Sequence, residues 1–218
     1  MSATGSYVAP NGGDVFVVID LQNDFVPGGA LAVAEGDLIV PLINRLAARF
    51  AHVVVTQDWH PPRHSSFASS HPGMAPFATI ELAYGSQVLW PDHCVQGSAG
   101  AELVAGLRIP QAELVLRKGY RREVDSYSAF NEADGAPTGL AAYLRERRLG
   151  RVFLAGLATD FCVGWSAIGA RQAGFETFVI EDACRAIDAD GSLARAWADM
   201  AAAGVGRIRS HDLALPAV

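Results

Sequence analysis

Residues 152–173 read VFLAGLATDFCVGWSAIGARQA. Val152–Leu154 is an apolar run that does not alternate with polar residues, as expected of a strand covered on both faces. Small residues at helical spacing follow from Ala167 to Ala173. Between them lies the turn Ala158-Thr159-Asp160-Phe161-Cys162. A strand, a tight turn and a helix in that order form the repeating unit of a parallel α/β sheet.

The same unit recurs on either side. Apolar runs at Val15–Ile19, Val53–Val55, Leu114–Leu116, Phe178–Ile180 and, more weakly, Gly206–Ile208 bring the predicted strands to six. Helical spacing links Leu38, Leu42, Leu46 and Phe50, then Leu140, Leu144 and Leu149, then Leu193–Ala203. This alternation predicts an α/β fold: a doubly wound, mainly parallel six-stranded sheet of Rossmann-like type. Right-handed crossovers would carry helices to both faces. No repeat, low-complexity tract or linker interrupts the pattern, so one domain is expected over 1–218. Residues 1–13 (MSATGSYVAPNGG) are expected to be flexible.

Composition narrows the function. The 218 residues are 50% hydrophobic, enough for a sizeable core. Lys+Arg 17 against Asp+Glu 23 gives a net charge of −6, which offers no basic face to nucleic acid. Three irregularly spaced cysteines argue against a disulfide framework and for a reducing compartment. The start lacks a basic segment followed by an apolar run, so no signal peptide is expected. The apolar runs are too short to span a bilayer. The cytoplasm is the expected location, with no membrane partner. Oligomeric state is left open, a homo-oligomer included.

Two stretches break the alternation, Gln57 to about Gly100 and Lys118 to Pro137. Each follows the carboxyl end of a predicted strand, the edge where open α/β sheets bind ligands. Loops this long inside a compact domain usually carry function.

Four groups of residues there can carry chemistry. Cys162 sits at a strand-to-helix turn, where a helix amino terminus favours a thiolate and N–H groups can hold an oxyanion. A free cysteine is equally often a small buried hydrophobe. Asp20 ends a fully apolar strand (VVIDLQNDF, 17–25), where burial would raise its pKa as a general base requires. A capping or turn aspartate is the alternative, and Asp24 fits that alternative better. Lys118 ends the strand Leu114–Leu116 and could neutralise a carboxylate or thiolate there; most lysines are merely solvated. Asp58 and His60 lie two apart in an extended segment and can point the same way, with His93 far along the chain to close a metal site. Two imidazoles and a carboxylate suit Zn²⁺, Fe²⁺ or Mn²⁺ with positions left open. Structural histidines are the competing reading.

Five segments in order, VVIDLQNDFVPGGALAV (17–33), TQDWHPPRHSSFA (56–68), LWPDHCVQGSAGAEL (89–103), RKGYRREVDSYSAF (117–130) and GLATDFCV (156–163), resemble the nicotinamidase/pyrazinamidase branch of the isochorismatase-like cysteine hydrolases. The resemblance runs from about Asp14 to Ser210. It implies Asp20, Lys118 and Cys162 as a catalytic triad. Asp58, His60 and His93 would hold one divalent metal ion, zinc ahead of iron or manganese. Phe25 and Trp90 would wall the substrate ring, and the Leu157–Ala158 bond falls where the family has a cis peptide shaping the oxyanion site. His64 is placed behind the metal ligands, Phe161 has no catalytic role, and Cys94 and Cys184 are structural. The activity implied is hydrolysis of nicotinamide to nicotinate and ammonia, with pyrazinamide as a further substrate, through a Cys162 thioester. The metal would orient the pyridine ring.

Two other readings fit some of these residues. Another small-amide or ureide hydrolase of the same superfamily would keep the triad, although the metal motif speaks against it. A 2-His-1-carboxylate iron oxygenase would use Asp58, His60 and His93, but expects a β-rich fold and leaves Cys162 and Lys118 idle.

Overall fold

The computed structural model describes residues 9–213. Six strands form one sheet: β1 (Asp14–Ile19), β2 (His52–Asp58), β5 (Leu114–Lys118), β6 (Arg151–Leu157), β7 (Glu176–Arg185) and β8 (Gly206–Ile208), in the order β5-β2-β1-β6-β7-β8. Every pairing in it is parallel. A two-stranded antiparallel hairpin, β3 (Thr79–Leu82) and β4 (Gly85–Val88), stands apart from it. The helices are α1 (Val40–Ala47), α2 (Leu140–Glu146), α3 (Gly164–Gln172) and α4 (Ser192–Ala202).

The strand order explains the layers. From β1 the chain moves one way through β2 to β5; from β6 it moves the other way through β7 to β8. With right-handed crossovers, this reversal puts α1 on one face and α3 and α4 on the other. Phe16, Phe153 and Phe178 occupy matching register positions on β1, β6 and β7. Phe153 stacks on Phe178 with centroids 5.1 Å apart, and Phe50 packs between Phe16 and Phe153 at 5.2 and 5.1 Å. These rings tie the sheet to the segment after α1, each pair adding about 0.5–1.5 kcal/mol beyond area burial.

The six expected strands are present, and the sheet is wholly rather than mainly parallel. The helical spacing runs past the ends of the helices. Leu38 belongs to a preceding 3₁₀ turn (Gly36–Ile39) and is 60% exposed, so it is no core residue. Phe50 and Leu149 lie beyond the ends of α1 and α2, yet both are buried. The hairpin β3–β4 is not legible as strands because each strand has only four residues and most of them are partly or fully exposed. Of the segment expected to be flexible, 1–8 lies outside the described residues; in 9–13, the Ala9 carbonyl accepts from Arg151 and the Asn11 N–H donates to Asp14. Among the described residues no helix is long and apolar enough to cross a membrane.

The reversal lies between β1 and β6, and the crevice at their carboxyl ends is where such sheets bind ligands. Asp20 follows β1, Asp58 ends β2, Lys118 ends β5 and Cys162 follows β6.

Candidate active site

The Lys118 ammonium is the hub of the crevice. It is 0% exposed, and its Nζ lies 2.8 Å from Asp20 Oδ2, 3.0 Å from the Ser126 carbonyl and 3.3 Å from Cys162 Sγ. It also pairs closely with Asp58 Oδ1. A buried ammonium is tolerable only with such partners. Burial works against its charge, but Asp20, Asp58 and Cys162 together hold its pKa well above the usual lysine range.

Asp20 is equally buried. Its backbone N–H donates to Thr56 Oγ1 at 3.1 Å, and the Thr56 hydroxyl donates to Asp20 Oδ1 at 2.5 Å. The backbone at Asp20 is left-handed (φ 47°), which turns the chain sharply off β1. Burial raises its pKa; Lys118 and Thr56 oppose this without cancelling it. Cys162 lies within a single turn of π-helix, Thr159–Val163, that leads into α3. Burial lifts its thiol well above the ordinary range, and Lys118 is the neighbour that pulls it back. The helix-terminus position therefore does not give a thiolate outright. The Leu157–Ala158 peptide just before this turn is cis.

Asp58, His60 and His93 offer donor atoms that all lie within 4.8 Å of one another. Their hydrogen bonds show how well they suit a metal. His60 Nδ1 donates to the Gly119 carbonyl at 2.9 Å, and His93 Nδ1 donates to the Pro91 carbonyl at 2.8 Å. Each bond keeps a proton on Nδ1, so that a neutral ring presents Nε2 as its lone pair, the usual outer support of a metal-binding histidine. Burial works against a charge on His60, but Asp58 more than offsets it and raises that ring's pKa. Both Nε2 atoms face Asp58 Oδ2, at 3.7 and 3.9 Å. Burial and the neighbouring His60 push His93 down to about 4, so it is a neutral donor at pH 7. Burial would raise Asp58, but Lys118 and the histidines more than offset it and hold the carboxyl below the usual range. The residues fit a divalent cation.

The backbone around them is shaped to this end. Gly119 has φ 66°, and a side chain there would run into the His60 ring. Gln22 clamps the backbone of Asp58 on both sides: its Nε2 donates to the Asp58 carbonyl and its Oε1 accepts the Asp58 N–H, each at 2.8 Å. His64 lies behind, its ring 4.3 Å from that of His60. Its Nε2 donates to the Arg121 and Val124 carbonyls, and its Nδ1 accepts from Ser66, so neither nitrogen is turned to the cluster.

A small pocket opens above Cys162. Phe25, Trp90 and Ala158 line it with the cluster and the thiol; Leu157 does not, its side chain packing towards Gly36. Sequence reading missed five of its walls: Leu31, Val33, Asp125, Tyr127 and Ile187. Asp125 and Tyr127 stand within the segment 117–130, whose fold around Lys118 aims them inward, while Leu31, Val33 and Ile187 carry no chemical signal. Asp160 explains the position of Ile187. Its buried carboxylate accepts the N–H groups of Ile187 and Asp188 and the Ser192 hydroxyl, holding the loop before α4 over the pocket. Cys94 and Cys184 are free and buried away from this pocket, and burial pushes the Cys184 thiol up to about 12.

Comparison with known proteins agrees with this geometry. Residues 14–212 match the isochorismatase domain. The nicotinamidase of Acinetobacter baylyi is 57% identical over 198 residues, 90% of this chain and 92% of that protein. A nicotinamidase/pyrazinamidase structure from Acinetobacter baumanii superposes with TM-score 0.92 at 56% identity, covering 93% of this chain and 98% of the other. PnC1 of L. infantum in complex with nicotinate gives 0.84 at 40% identity, covering 95% and 98%. The pyrazinamidase of Pyrococcus horikoshii in complex with zinc gives 0.74 at 33% identity, covering 90% and 99%.

Proposed function

The chain belongs to the isochorismatase domain family, and on that premise we propose that its crevice hydrolyses a pyridine carboxamide. The enzyme converts nicotinamide to nicotinate and ammonia. Pyrazinamide, which also carries a ring nitrogen meta to its carboxamide, is a second substrate. The observation that carries this reading is Lys118 Nζ held between Asp20 and Cys162 directly beside the Asp58–His60–His93 cluster. A nucleophile, a base and a cation meet one aromatic-walled pocket and one metal-fitting triad. An iron oxygenase would have no use for the first three, and the α/β fold is not its β-rich scaffold.

The protein's groups divide the work as follows. Asp20, whose proton affinity is raised by burial, takes the proton of the Cys162 thiol. Lys118 holds Asp20 in place and stabilises the thiolate as it forms. The sulfur attacks the carboxamide carbon, and the electron pair moves to oxygen, where the N–H groups of Ala158 and Cys162 bind it. Collapse breaks the C–N bond; the nitrogen takes the proton from Asp20 and leaves as ammonia. Asp20 then accepts a proton from a water molecule, whose oxygen attacks the thioester. The C–S bond breaks, nicotinate leaves, and Cys162 regains its proton. Phe25 and Trp90 hold the ring flat against this centre.

Asp58, His60 and His93 would hold the metal ion. Zinc is the first choice, because two imidazoles and a carboxylate suit it, with iron or manganese as alternatives. Bound there, it supplies a Lewis-acid point for the pyridine nitrogen, directly or through water, fixing the ring for attack.

We read 1–218 as one hydrolase domain, supported by the family match over 14–212, and place it in the cytoplasm because all three cysteines are free. The deciding experiment is ammonia release from nicotinamide by the purified protein, before and after removal of metal. Release that needs both Cys162 and the metal supports the reading; no release from nicotinamide or pyrazinamide overturns it.

A further inference from the structure

The catalytic pocket is narrow. Its volume is about 20 Å³, roughly the room of one water molecule. Small-molecule sites commonly need some hundreds of cubic ångströms. A pyridine carboxamide therefore enters only if a wall moves. Immediately outside lies a groove of about 490 Å³, bounded by the β3–β4 hairpin at Thr79 and Val88, by α4 at Arg195 and Asp199, and by Trp165 of α3. Groove and pocket share two residues, Trp90 and Phe161.

These two differ in how they are held. Trp90 is pinned on all sides. Its N–H donates to the Ser66 carbonyl at 2.8 Å, its carbonyl accepts from Ala68 at 2.8 Å, and its indole Nε1 donates to the Tyr127 hydroxyl at 2.9 Å. Phe161 is pinned only through its backbone, whose N–H donates to the Ala158 carbonyl at 3.1 Å. Its ring is half-buried and touches Trp90 and Tyr127 edge-on, with centroids 4.8 and 5.7 Å away. A side-chain rotation can swing this ring into the groove without shifting the backbone of the adjacent Cys162.

We propose that the Phe161 ring is the movable wall between groove and pocket, and so the residue that limits the size of ring substituents the enzyme accepts. The substrate part rests on the nicotinamide reading above; the access part does not. The groove, with Trp165 55% exposed on one side and charged groups of α4 on the other, suits a polar aromatic amide in transit.

The test uses Phe161→Trp, Phe161→Leu and Phe161→Ala in the intact chain. Two ratios are read. The first compares alkylation of Cys162 by a bulky N-aryl maleimide with that by iodoacetamide, each located by peptide mass mapping. The second compares kcat/KM for 5-propylnicotinamide with that for nicotinamide. The propyl group sits meta to both the ring nitrogen and the carboxamide, so both recognised groups stay free. Both ratios should rise in the order Trp, Phe, Leu, Ala, by about tenfold or more from Phe to Ala. The Leu variant keeps most of the apolar volume, so the trend is readable even if the Ala variant folds poorly. Flat ratios across the series overturn the proposal. Graded alkylation with no ammonia from nicotinamide keeps the wall and sinks the substrate reading; ammonia release with flat ratios does the reverse.

Discussion

The Nζ of Lys118 lies 3.3 Å from the Sγ of Cys162, although β5, which ends at Lys118, and β6, which Cys162 follows, are separated in the sheet by β2 and β1. The lysine reaches across two strand ends to do this, passing Asp58 and Asp20, which hold it on the way. Its charge is thus shared by two carboxylates and one thiol in a water-poor crevice. Groups coupled in this way titrate as a unit.

Opposite substitutions should move the thiol in opposite directions. Burial raises the Cys162 pKa, Lys118 lowers it and Asp20 raises it. Lys118→Ala removes the cation, so the alkylation midpoint should move to higher pH and alkylation at pH 8 should slow. Asp20→Asn removes the anion, so the midpoint should move to lower pH. Rates of iodoacetamide addition to Cys162 against pH decide this. If both midpoints stay at the wild-type value, neither residue acts on the sulfur.

Activity should depend on Cys162 alone among the cysteines. Cys162→Ala should abolish ammonia release while circular dichroism and metal content stay as in the wild type. Cys184→Ala and Cys94→Ala should retain most activity, since both thiols are buried away from the pocket. Comparable turnover by Cys162→Ala would end the thioester mechanism.

His60→Ala or His93→Ala should lower metal content and weaken nicotinamide binding, because each removes one Nε2 donor. His64→Ala should lower it less: its nitrogens are committed to Ser66, Arg121 and Val124. Elemental analysis of the purified variants measures the difference. A metal-free wild type with full activity would remove the ion from the reaction.

Benzamide has the shape and the amide of nicotinamide but no ring nitrogen. A site that coordinates that nitrogen should turn it over far more slowly, by about 10⁴-fold in kcat/KM if the group is fully used. Equal kcat/KM values for the two amides would mean that the metal does not read the ring.

Gln22→Ala should destabilise the fold by about 2–4 kcal/mol, because it strands the buried N–H and carbonyl of Asp58. It should also reduce metal occupancy, since Asp58 loses the clamp on its backbone. Urea unfolding and elemental analysis check the two effects separately. A variant as stable and as metal-rich as the wild type would show that Gln22 only fills space.

Much of the site was legible in the sequence because strand ends are legible. Asp20, Lys118 and Cys162 stand at the carboxyl ends of apolar runs, and a doubly wound sheet gathers such ends on one edge. Asp58 and His60 could be paired by their spacing in an extended segment. The hairpin β3–β4 was missed because its strands are four residues each and lie largely outside the core. Gln22 was missed because one amide in a polar turn gives no sign that it will bracket another strand's backbone. Asp160 was missed as the anchor of the Ile187 loop for the same reason.

The sequence by itself determined the layer architecture, the strands of the parallel sheet and the residues available for chemistry, because apolar periodicity and turn positions are local properties. Tertiary structure alone decided the rest. It closed the distance from Lys118 to Cys162, turned both Nε2 atoms towards Asp58, and committed both nitrogens of His64 elsewhere. It also set the signs of the pKa shifts. Burial of the thiol outweighs the help of Lys118, while Lys118 and the histidines outweigh the burial of Asp58. Such balances depend on which segments, distant in the chain, exclude water from one point. No local pattern encodes that.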